Sequence, residues 1–248
     1  MKINFWLFAS LTLAIVAFIS YGTYATARLL RAWRPDRNLL LLPAENLLRL
    51  VLIVLCLMLG LLSGASSAQL GWVLPNGSHS VFWGMIWGMI WGSLGGIALA
   101  LFFYLSTKWL VVYTGKRFYS SIVIQAITPK SRYELGLVLL IMVPVVLLEE
   151  LLFRSLLIGG FSLLLPAPFL VVGWGIYFGL LHLPQGWWGM VGAGLAGLLL
   201  GALFVIQGSI LLPIVVHYVT NSLQIIQAMR LHAAEARSTG RDEELLFS

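Results

Sequence analysis

From Leu135 to Gln227 the chain carries only three Asp, Glu, Lys or Arg side chains: Glu149, Glu150 and Arg154. A stretch that long with so little charge cannot cover a water-soluble surface, because soluble domains carry about 25% charged residues. Over the whole chain of 248 residues, 60% are hydrophobic and 10% charged. Uncharged apolar runs of about 18 or more residues read as membrane-spanning helices. The sequence therefore predicts an all-α, polytopic membrane helix bundle of about seven transmembrane helices.

The runs are roughly Phe5 to Ala25, Leu47 to Leu62, Val81 to Leu105, Leu135 to Gly160, Phe169 to His182, Met190 to Ile206 and Ile210 to Met229. The first ends in small residues, as a signal peptide would. It is longer than a signal core of about 7–15 residues, and its main positive cluster follows it, which favours a retained helix. In the third run Gly84, Gly88, Gly92 and Gly96 recur every fourth position beside Trp83, Trp87 and Trp91. Ala193, Gly197 and Gly201 repeat the pattern in the sixth. Such stripes let helix backbones approach closely, and helix packing is the reading they favour over a ligand site.

Lys108, Lys116, Arg117, Lys130 and Arg132 lie among aromatic residues between the third and fourth runs. That segment reads as interfacial, lying against anionic headgroups. The chain thus divides into 1–134, N-terminal spans with a basic interfacial segment; 135–229, a polar-cored helix bundle; and 230–248, a polar tail.

Loops 63–80, 161–168 and 207–209 contain no Lys or Arg, whereas segments 26–46, 106–134 and 230–248 carry nearly all of them. The positive-inside rule then puts the N-terminus outside and the tail in the cytoplasm. The net charge of +6 reflects this orientation and gives no reason to expect a nucleic-acid partner. The partner these features imply is the lipid bilayer. Cys56 is the only cysteine and cannot form an internal disulfide.

Charge at the bilayer centre costs roughly 2.5–3.5 kcal/mol per residue on insertion scales, so intramembrane ionisable groups usually face the bundle interior and mark function. Glu150 and Arg154, four apart, share a helical face and are placed to pair. Glu149 points about 100° away, on the face of Phe153. The bland alternative is a buried ion pair and a neutral glutamate that fix packing. Against it, two further runs bring His182, His217 and Asn221 to membrane depth, with Asn221 one turn after His217. His182 and His217 are expected to converge on Glu149, while Glu150 turns toward Arg154. His182 falls near the end of its run, whereas Glu149 reads as deeper.

The sequence has no Gly-x-Ser-x-Gly elbow, no HExxH signature and no Asp between Asp36 and Asp242. What remains is a carboxylate and imidazoles around a water. A glutamate in an apolar pocket suits general-base work, and a histidine with an asparagine amide suits an oxyanion. The same Glu149, His182 and His217 are also plausible ligands for a divalent metal such as zinc, with water in the open position.

Glu149-Glu150-Leu-Leu-Phe-Arg154, Phe178-Gly-Leu-Leu-His182 and His217-Tyr-Val-Thr-Asn221 resemble the EExxxR, FxxxH and HxxxN motifs of the CPBP family of intramembrane proteases. That family includes CAAX prenyl endopeptidases and proteins related to bacteriocin processing and immunity. The resemblance covers roughly Leu135 to Met229. It implies an intramembrane endopeptidase, acting on a peptide or protein substrate with or without a lipid group, in which Glu149 activates water with His182 as partner, and His217 and Asn221 stabilise the oxyanion. It leaves Glu150 and Arg154 as structural or substrate-positioning residues. Both metal-dependent and metal-free mechanisms have been argued for the family, and glutamate-activated water without a cofactor is the reading adopted here. A non-catalytic immunity or scaffold protein and a proton-coupled transporter are the competing classes. A relay would have no need of the Asn221 amide.

Overall fold

The computed structural model describes residues 3–33, 35–73, 81–115 and 119–246, with side-chain placement for these except 3, 81 and 233–246. Lys116, Arg117 and the end of the 63–80 loop lie outside the described residues. The chain forms α1 (Ile3–Ala32), α2 (Pro43–Leu62), α3 (Val81–Thr114), α4 (Ser121–Ile127), α5 (Arg132–Glu150), α6 (Ala167–Leu181), α7 (Trp187–Gln207) and α8 (Leu211–Leu246). No strand occurs among the described residues. The chain is an all-α membrane bundle.

Among the described residues, five helices are long and apolar enough to cross a membrane: Asn4–Ala32, Pro43–Leu62, Phe82–Thr114, Arg132–Leu163 and Trp187–Gln207. The expected fifth and seventh crossings differ from these. Helix α6 has 15 residues, about 22 Å at 1.5 Å per residue, short of a core of about 30 Å. Helix α8 has its apolar part interrupted by His217, Thr220, Asn221 and Ser222, which turn into the bundle and are wholly or largely shielded. The stretch read as a polar tail continues α8 as helix to Leu246.

The glycine stripes are packing surfaces. On α3, a methyl group at Gly92 would strike Val215 and one at Gly96 would strike Val219, so α8 lies directly against this face. Thr220 donates to the Gly96 carbonyl at 3.2 Å across the same contact. On α7, Gly197 abuts the Gly175 backbone and Gly201 abuts Val171 and Ile158. The α6–α7 pair is thereby held close. Trp83, Trp87 and Trp91 remain exposed on the far side of α3, where a bilayer would meet them.

One core cluster joins the first two helices to the end of α5 and the segment after it. It combines Phe5, Phe8 and Val16 of α1 and Leu52, Ile53 and Cys56 of α2 with Leu148, Leu151, Leu152 and Leu156. The first two helices thus wall one side of the segment that carries Glu149 and Glu150.

Candidate active site

Helix α5 starts at the N-cap Ser131, whose side chain accepts from the Glu134 N–H. It does not stay α-helical to its end. From Leu151 to Gly159 the hydrogen-bonding widens to a π-helix of nine residues, all of them buried. Single-turn π-bulges are the usual form, often at functional sites, so a run of this length directly after the glutamates is unusual. The loop after α2 clamps it. Ser155 donates to the Leu70 carbonyl at 2.6 Å and accepts from the Trp72 indole at 3.0 Å, while Gly159 packs onto the Gln69 carbonyl.

The π segment carries Arg154. Its guanidinium lies 2.9 Å from Glu150 Oε1, with both side chains at most 1% exposed. It also approaches the Gly197 carbonyl at 3.4 Å and sits 5.1 Å from the centre of the Phe178 ring. A charge buried this deeply is tolerable only when paired.

His217 lies between the two glutamates. Its Nδ1 is 2.7 Å from Glu150 Oε1 and its Nε2 is 3.5 Å from Glu149 Oε2. Glu150 therefore holds Arg154 and His217 together on one oxygen. Since a carboxylate accepts, Nδ1–H donates to it, and Nε2 is left to face Glu149. The Glu149 side chain is 29% exposed, so it is the carboxylate that opens outward.

His182 caps α6 and donates from Nδ1 to the Phe178 carbonyl at 2.7 Å. In the neutral ring its Nε2 is then an acceptor. It lies within electrostatic reach of Glu149, His217 and Arg154. The apparent mismatch in depth is removed by the fold. Glu149 lies about four turns before Leu163 and His182 about four turns after Ala167, so both sit at similar distances from the same turn. Helix α5 simply extends further at its other end. Asn221 faces Met142, with Nδ2 at 3.9 Å from the sulfur, a weak acceptor that leaves the amide's donors largely uncommitted.

The structure thus brings Glu149, Glu150, Arg154 and His217 into direct contact and places His182 at electrostatic range. Asn221 stands one turn from His217 and touches none of them by hydrogen bond among the described residues. Two contributors went unassigned at the sequence level. Phe178 meets Phe153 (5.0 Å), His182 (4.6 Å) and His217 (6.0 Å) edge-on or tilted. Its ring also lies 5.1 Å from the Arg154 guanidinium, so it packs against that cation and both histidines. Its place in the FxxxH motif was the available signal. The second is Arg49 of α2, whose electrostatic partners are Glu45 first and then Glu149. Among the described residues no group of three or more His, Cys, Asp or Glu side chains is arranged to hold a metal ion. Both histidines hold Nδ1 in a hydrogen bond, to the Phe178 carbonyl and to Glu150, which leaves Nε2 as the ring nitrogen for any ligand.

Residues 131–223 match the family model described as Type II CAAX prenyl endopeptidase Rce1-like. All three motifs fall inside that span. The match supports an intramembrane endopeptidase in general terms, and with the apolar helices it makes the chain an integral, multi-pass membrane protein. No curated protein and no solved structure matches the chain.

Proposed function

Starting from an Rce1-like domain at residues 131–223, consistent with the CPBP family, we propose that the chain hydrolyses a peptide bond through water activated by Glu149. The observation that carries the reading is His217 bridging the two carboxylates, with Arg154 offsetting Glu150. The buried pair orients the imidazole, and Glu149 remains free for proton transfer.

The steps balance as follows. Glu149 takes a proton from water as its oxygen attacks the scissile carbonyl carbon, and His182 Nε2 accepts the water's other hydrogen bond. The carbonyl oxygen becomes an oxyanion, to which His217 Nε2–H and Asn221 Nδ2–H donate. Glu149 then passes its proton to the leaving amine, the C–N bond breaks, and an acid and an amine depart. For Nε2 to donate while Nδ1 is held by Glu150, His217 must be doubly protonated.

The orientation proposed is N-terminus outside and C-terminus cytoplasmic, from the distribution of Lys and Arg. With the Leu163–Ala167 turn on the outer side, the site lies roughly 20 Å inward, toward the cytoplasmic face. The family name makes a prenylated C-terminal CAAX peptide the first substrate class to try.

The test is purified protein in lipid nanodiscs with a farnesylated CAAX tetrapeptide and its unprenylated counterpart, products identified by mass. Cleavage that persists with a strong zinc chelator is expected. Activity lost to the chelator and restored by Zn²⁺ would replace this mechanism with a metal-dependent one. Absence of cleavage of either peptide would favour the scaffold reading.

A further inference from the structure

Arg154 and His217 reach a single oxygen, Glu150 Oε1, from two different helical segments. A short stretch outside the matched span, residues 70–72 in the loop after α2, grips both of those segments. Ser155, next to Arg154, donates to the Leu70 carbonyl and accepts from the Trp72 indole. Between them, the Gly71 carbonyl accepts from the Ile210 N–H at 3.0 Å, just where α8 begins. His217 stands seven residues, about two turns, further along α8.

The stretch is fixed by its own packing. Leu70 is 2% exposed. A methyl group at Gly60 would strike the Trp72 indole, so the ring lies directly on α2. Gly71 has φ +70°, and a side chain there would meet Phe204 of α7.

The π-helix gives this grip a consequence for the site. It closes i→i+5 hydrogen bonds in place of i→i+4, so it turns through fewer degrees per residue. Glu150 ends the α-helical part, and Arg154 is the fourth residue of the wide part. The angle between their side chains therefore depends on the wide turn being kept. A return of 151–155 to α-helix would rotate Arg154 about the axis relative to Glu150 and carry Ser155 off both its partners. We propose that Trp72 and Ser155 are positioning residues: their hydrogen bond holds the π turn, and with it the geometry in which Arg154 and His217 share Glu150. The inference rests on the protease reading, in which that geometry orients the His217 ring. It assigns part of the site's construction to a loop that the family match does not cover.

The test reads the geometry apart from turnover. Full-length protein carrying 15N-labelled histidine is placed in nanodiscs. The His217 Nδ1–H signal, assigned by its loss in His217→Gln, reports the hydrogen bond to Glu150. Trp72→Phe keeps an aromatic ring on Gly60 and removes the indole N–H; Ser155→Ala removes the hydroxyl. Each should shift the His217 signal in protein that still melts cooperatively. On a peptide the wild type cleaves, each should lower kcat about 10–100-fold with KM changed less than about twofold, since a misplacement of about 1 Å costs on the order of 100-fold. The double variant should be no worse than Ser155→Ala alone, because both residues act through one contact. Ser162→Ala removes a hydroxyl that donates to the Gly159 carbonyl at 2.6 Å, at the far end of the same segment. It should leave the signal and kcat unchanged. An unmoved His217 signal in either Trp72→Phe or Ser155→Ala overturns the proposal. So does an equal shift in Ser162→Ala, which would mark general loosening, and so does loss of folding in both variants, which would make the contact a support of the whole fold. A wild type that cleaves no peptide would count against the protease reading and leave the His217 signal to decide the positioning.

Discussion

At the scale of residues, the two adjacent glutamates have different tasks because of where their side chains end. Glu150 is 0% exposed and bound to Arg154 and His217, while Glu149 keeps an open side. Their divergence was legible in the sequence, since neighbouring positions on a helix point about 100° apart. The Glu150–Arg154 pairing was legible from the four-residue spacing. That His217 would sit between both carboxylates was not, because a contact between α5 and α8 leaves no trace in local spacing. Asn221→Ala and Glu150→Gln should therefore fail differently. Losing one oxyanion donor costs roughly 10²–10³-fold in turnover, and Asn221→Ala should do so with little change in melting temperature. Glu150→Gln leaves Arg154 buried without a counter-charge, at a cost of about 3–5 kcal/mol, so melting temperature should fall with activity. Thermal melts and cleavage rates on both variants check this. Equal melting of Glu150→Gln and wild type would show that the buried pair does not support the fold.

At the scale of elements, the apolar runs marked the helices but not where they stop. Charge ends a run at the membrane surface, yet nothing obliges a helix to unwind there. Helix α3 therefore continues past Lys108 to Thr114, and α8 continues through the polar end of the chain. The glycine stripes were legible as packing faces because a missing side chain has a direct steric meaning. The π-helix was not, since its support is tertiary: Ser155 and Gly159 seat against the Gln69–Trp72 stretch of a distant loop. The sequence showed a Gly/Ser-rich loop there, with no sign that it docks on the segment carrying Arg154.

At the scale of the molecule, the site is assembled from helices far apart in sequence, and α1 helps set its geometry. Tyr24 donates to the Leu180 carbonyl at 2.6 Å, and Ser20 pairs with Tyr177 at 2.8 Å, steadying α6 just before His182. The orientation proposed for the bundle is testable by labelling. In a Cys56→Ala background, Ser67→Cys in the loop after α2 should react with a membrane-impermeant thiol reagent in intact cells. Asp36→Cys, between α1 and α2, should react only after lysis. The reverse pattern would invert the topology and place the site toward the outer face.

The central claim is that Glu149 takes the proton from water. Glu149→Gln keeps the shape of the side chain but cannot accept that proton. The decisive measurement is the cleavage rate of this variant against wild type, on nanodisc samples that melt at the same temperature. The account predicts a fall of about 10²–10⁴-fold, the usual contribution of a general base. Cleavage at the wild-type rate would contradict it and remove Glu149 from the mechanism.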